Sequence, residues 1–122
     1  MNNETKKLIG EIKAVRLGHE QRVMDAQNTV LELNAALSVA APDIAVWGGE
    51  WTTYCSKWEV GWDMYAGVWC LVARDTLSDG PAATSTFPLV DGGPDLLLSW
   101  AADIQGCLKD LLAEFQRSVE FH

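Results

Sequence analysis

The segment WGGEWTTYCSKWEVGWDMYAGVWCLVARDT, residues 47–76, decides the fold, and it reads in two ways. Five of the chain's six tryptophans lie in it. At a period of two, every even position from 60 to 72 is apolar: Val60, Trp62, Met64, Ala66, Val68, Cys70 and Val72. That is the alternation of a strand, and Trp, Tyr, Val and Thr all favour strands. At a helical period, Trp51, Tyr54, Trp58, Trp62, Tyr65, Trp69, Val72 and Thr76 fall at steps of 3, 4, 4, 3, 4, 3, 4, with mostly polar residues opposite. Length separates the readings. A strand this long needs a turn, and only the isolated Gly61 and Gly67 offer one. The helix has recognisable ends: Glu50 in its first turn complements the helix dipole, and Asp79-Gly80-Pro81 is a stop signal. Each interior glycine costs about 1 kcal/mol against alanine. Burial of an aromatic seam, at roughly 1.5–3 kcal/mol per large side chain, offsets that. The spacing therefore predicts a helix over about 50–78. The alternative is an antiparallel β-hairpin or meander across 44–90.

The flanks are clearer. Upstream, Ile12, Val15, His19, Val23, Ala26, Val30, Leu33 and Leu37 form a helical seam that Pro42 ends. A second stripe, Leu17, Met24 and Leu31, recurs every seven residues on another side. Two stripes predict a helix over about 4–40 that touches two neighbours. Downstream, Pro94 suits a first helical position, and Leu97, Trp100, Ile104, Leu108, Leu111, Phe115 and Val119 line one face of a helix over about 95–120. The connection 79–94 is long for a bundle loop. The predicted fold class is mainly α: one domain of 122 residues, a three-helix bundle with a long first helix. The tryptophans of 50–78 would face the smaller side chains of the first helix. The alternative is α+β, with the meander between the two outer helices.

The net charge of −8 is uneven. Residues 1–40 balance, whereas 41–93 hold two basic against seven acidic groups. Such acidity argues against direct contact with nucleic-acid phosphates, which need clustered Lys and Arg. It suits docking on a basic protein surface. Trp47 in its glycine turn, with Glu50, Glu59, Asp63, Asp75, Asp79 and Asp91, forms the candidate partner-binding set.

Catalytic and metal motifs are missing from the sequence. There is no phosphate loop, G-x-G-x-x-G, G-x-S-x-G or H-E-x-x-H. His19 reads as a seam histidine, and Glu59 with Asp63 as a solvated acid pair. Cys55, Cys70 and Cys107 lack the spacing of zinc ligands or a disulfide framework. No cofactor, metal or catalytic residue is predicted. No run is apolar enough for a membrane span, and the N-terminus MNNETKKLIGE lacks the apolar stretch of a secretory signal. A cytoplasmic location is expected.

The string Trp47-Gly48-Gly49 between two predicted helices resembles the W-x-G turn of the small substrates of type VII secretion. That resemblance implies a helical hairpin over roughly 5–78 that pairs with a partner of its own type. The tyrosine-and-acid signal those proteins carry after their second helix is absent here, and 95–120 is an additional helix.

Three function classes follow. The first is a non-enzymatic acidic inhibitor or adaptor that docks on a basic partner, such as a phage-type anti-defence inhibitor of a nucleic-acid-binding system. The second is a self-associating helical protein, a homodimer through the overhang of the first helix. The third is a small-ligand-binding bundle with tryptophans lining its pocket.

Overall fold

The computed structural model describes residues 1–52, 57–76 and 86–120. The order of elements is α1 (Asn3–Ala40), β1 (Val46–Thr52), β2 (Lys57–Tyr65), β3 (Val68–Asp75), β4 (Thr86–Pro88), a 3-10 turn (Leu89–Asp91), α2 (Pro94–Ala101) and α3 (Ile104–Glu120). The strands form one antiparallel sheet in the order β1-β2-β3-β4. This is an α+β meander between helices, and the three-helix bundle is corrected. The predicted helix over 50–78 is two strands and part of a third.

The turn that the sequence reading did not find is Ala66-Gly67. Both residues have positive φ, 51° and 83°. Tyr65 pairs directly with Val68 across them. A two-residue connection with both φ values positive matches the right-handed twist of a hairpin. Alanine stands where Asn, Asp or Gly normally signals such a turn, so the signal was weak. The hairpin also swaps parity. Trp58, Val60 and Trp62 of β2 share a face with Asp75, Ala73 and Leu71 of β3. The even-numbered Cys70 and Val72 therefore lie on the opposite face, yet both are buried. The apolar alternation ran unbroken through the turn because β3 is apolar on both sides.

Trp47-Gly48-Gly49 lies inside β1, and the pairing with β2 shifts between Gly48 and Glu50. Gly49 supplies a φ of 76° at that bulge. It is no inter-helix turn, so the likeness to W-x-G helical hairpins fails. After the bulge Trp51 pairs with Trp58. Trp51, Trp58, Trp62 and Trp69 consequently share the face that packs against the helices.

Downstream, the predicted loop and third helix divide differently. β4, the 3-10 turn and α2 occupy much of 86–101. The helix expected over 95–120 breaks at Ala102-Asp103, where the Asp103 carboxylate accepts the Gly106 N–H (3.2 Å) as an N-cap for α3.

One core joins the layers. Val46, Val60, Trp62, Leu71 and Ala73 of the sheet meet Ala26 and Val30 of α1, Leu97 and Trp100 of α2, and Cys107 and Leu111 of α3. Each fully buried large aliphatic side chain there contributes roughly 1.5–3 kcal/mol. α1 also closes an open sheet edge. β4 pairs with β3 only at Val72, Ala73 and Arg74. Beside that short strand, the Leu71 N–H donates to Asn34 Oδ1 (2.8 Å). A helix side chain thus satisfies an edge donor that would otherwise seek another strand.

Candidate protein-binding surfaces

The sheet face opposite the helices gathers most of the predicted partner-binding residues. The Trp47 ring lies over Gly61, where a Cβ would stand 2.6 Å from it. The Arg74 guanidinium sits 4.0 Å from the ring centroid. Arg74 also donates to Glu59 Oε1 (2.7 Å). Trp47, Arg74 and Glu59 form a stacked, charge-paired unit on a half-buried surface. Cation–π contacts of this kind contribute about 0.5–2 kcal/mol. Glu50, on the same face through the bulge, pairs with Lys57 (2.9 Å). Asp63 Oδ1 accepts the Met64 N–H (2.7 Å). Asp75 is elsewhere, opposite Trp58 on the helix-facing side at the end of β3. Asp91 is exposed in the 3-10 turn. Asp79 lies outside the described residues, as do Cys55 and His122. The sheet thus brings Trp47, Glu50, Glu59 and Asp63 together, although two of the three acids there face a basic side chain of the same chain.

Chemistry elsewhere is muted. Cys70 and Cys107 are free thiols. Burial pushes the Cys107 thiol up to about 11, with Asp110 and Asp103 adding to the rise. Burial, then Asp63 and Asp91, also raise Cys70. Both thiols are therefore held in their unreactive neutral form. Among the described residues, no cluster of three or more His, Cys, Asp or Glu could hold a metal ion. Among the same residues, no helix is long and apolar enough to cross a membrane. A shallow apolar groove of about 280 Å³ runs between the end of α1 and α3, lined by Leu37, Ala41, Pro42, Leu111, Leu112 and Phe115. It lies away from the tryptophans, so the predicted tryptophan-lined pocket of a helical bundle has no counterpart there.

Among the described residues, most of the exposed large apolar side chains are on α1. Residues 1–18 are all exposed. Leu8 is 49%, Ile12 68% and Val15 72% exposed. These residues continue, at the same 3- and 4-residue steps, the line on which Val23, Ala26, Val30, Leu33 and Leu37 pack into the core. The second stripe, Leu17, Met24 and Leu31, is half exposed throughout its length. A helix of 38 residues spans about 57 Å. Only its second half has a body to lie on, which is why the seam outruns its cover. The sequence reading found the seam and the overhang but did not identify Leu8, Ile12 and Val15 as binding residues. The available signal was the length of the predicted first helix, about 4–40, against that of the other two.

Comparison with known proteins gives no match to a family model, a curated protein or a solved structure.

Proposed function

We propose that this protein acts by binding another protein, and that the projecting half of α1 is its docking element. One observation carries the reading: the apolar seam of α1 continues, exposed at Leu8, Ile12 and Val15, for about three turns beyond the body that buries its second half. A contiguous uncovered apolar stripe on a regular helix is what a helix-in-groove or helix-pairing interface uses. Gly10 and Gly18 add to the point. Each weakens the helix by about 1 kcal/mol relative to alanine, in a segment that gains nothing from burial within the fold.

The test compares the intact wild-type chain with the Ile12→Asp/Val15→Asp variant as bait in the native host's lysate. The expected result is loss of the wild type's bound protein, including any copies of the chain itself, with an unchanged melting curve. Equal capture by the variant, or no capture by either, contradicts the reading. So does a collapsed melting curve, because it would place the stripe inside the fold.

A second reading rests on charge. Residues 23–122 hold four basic against fourteen acidic groups, so the acidic body suits a basic partner such as a nucleic-acid-binding protein. It predicts capture that fades with salt and on charge reversal at Glu50 and Asp63. Capture that persists at high salt counts against it.

A further inference from the structure

We propose that the partner of this helix face is a second copy of the chain, docked antiparallel along residues 5–22 of α1. The proposal rests on the preceding reading of α1 as the docking element and supplies its occupant.

Shape chooses the orientation. The exposed seam and the buried seam lie on one side of α1, so the body sits on the same side that the second copy must approach. In a parallel pair, the second helix would run into that body past His19. In an antiparallel pair, the second helix runs away from it, and the two bodies stand at opposite ends. The segment from 5 to 22 is about 27 Å long, enough for four layers. Leu8 then faces His19 of the second copy, and Ile12 faces its Val15. The two-fold repeats both layers, giving the self-complementary interface expected of a symmetric dimer. His19, already half-buried, falls in the outer layers, where its ring reaches water.

The flanking residues oppose no like charges within these layers. Ile9 faces Arg16 of the second copy, and Glu11 faces its Gly18. A parallel pair would place Glu11 near Arg16 of the other chain. A single exposed ion pair stabilises by about 0.2–1 kcal/mol, too little to offset a collision between bodies.

Charge favours a second copy over a neutral partner. Residues 1–22 hold five Lys and Arg against three Asp and Glu, the reverse of the remaining chain. Antiparallel docking lays this basic half-helix toward the acidic body of the other copy. At the end of the pair, Glu4 in the first turn of one helix approaches Arg22 of the second copy, which lines its groove beside Asp25. At that point the body offers a shallow groove lined by Arg22, Asp25, Thr29, Leu98, Ala101 and Ile104, which receives the first turn of the second helix. The basic surface that suits an acidic body is thus present on the same chain.

Sedimentation equilibrium of the full chain tests this, with Leu8→Lys, His19→Asp and the double variant beside the wild type. The wild type is expected to pass from the 13.4 kDa chain mass to twice that value as concentration rises. Each single variant should raise the midpoint concentration roughly tenfold or more, because the two-fold places the change in both outer layers. The double variant should associate more tightly than either single variant, because Lys at 8 then faces Asp at 19 of the other copy. Positions 8 and 19 are three turns apart on one helix and cannot rescue each other within a chain. A double variant that associates no better than the singles overturns the antiparallel layers. A wild type that stays at the single-chain mass at every concentration overturns the second copy. The reading of α1 as a docking element would then be decided separately, by the Ile12→Asp/Val15→Asp capture experiment.

Discussion

The two halves of α1 carry one sequence pattern and meet opposite fates. From Val23 to Leu37 the seam lies on the sheet, α2 and the 3-10 turn, and Val30 is fully buried. From Leu8 to Val15 the same seam stands in water. Periodicity records that a helix face requires cover, but not whether the cover comes from the same chain. The difference between the halves is the observation on which the proposed docking role rests.

The comparison is broken most severely by placing a charge in each half. Val30→Asp buries an unpaired carboxylate and should lose about 3–5 kcal/mol in urea melts. Val15→Asp should stay within about 0.5 kcal/mol in dilute solution while abolishing association. Similar losses from both would mean that the halves are not different. A polar pair sharpens the same contrast. Asn34→Ala leaves the Leu71 N–H at the sheet edge without its acceptor and should lose about 1–3 kcal/mol. Asn28→Ala, on the exposed side, should change little.

The covered half also predicts a pH response through Cys107, which shares its core with Ala26 and Val30. The thiol titrates near 9 when unfolded and near 11 when folded. Between those values the unfolded chain releases a proton that the folded chain keeps. Stability should thus fall as pH rises from 9 to 11, by at most about 1.4 kcal/mol per unit, and Cys107→Ala should flatten that slope. The smallest effect is expected on the second stripe. Leu31→Gln should alter neither stability nor association by more than about 0.5 kcal/mol, because Leu31 is already half exposed in the fold and lies off the seam of the antiparallel pair.

Much of this was legible from the residues, and the failures have physical causes. Helix 1 and its seam follow from spacing and Pro42. The predicted third helix is there as α2 and α3, and its break depends on the Asp103 cap, a local device that a long apolar periodicity conceals. The middle of the chain misread because tryptophans at 51, 58, 62 and 69 fit a helical wheel and also share one face of a bulged antiparallel meander. Gly49 moves Trp51 onto that face, and Ala66-Gly67 reverses parity between Trp62 and Trp69. A Cβ at Gly61 would stand 2.5 Å from the Val46 carbonyl oxygen, so that glycine marked close strand packing rather than a weak helix. The acids at 50, 59 and 63 came together on the sheet, where Lys57 and Arg74 partly neutralise them. Spacing along one chain could not show those cross-strand pairs.

The most direct measurement is amide hydrogen exchange along α1 at low and high protein concentration, with residues 26–37 as the internal reference. The account predicts that 26–37 are protected at both concentrations, whereas 8–19 gain protection only as the chain associates. Exchange at 8–19 that does not change with concentration would contradict it.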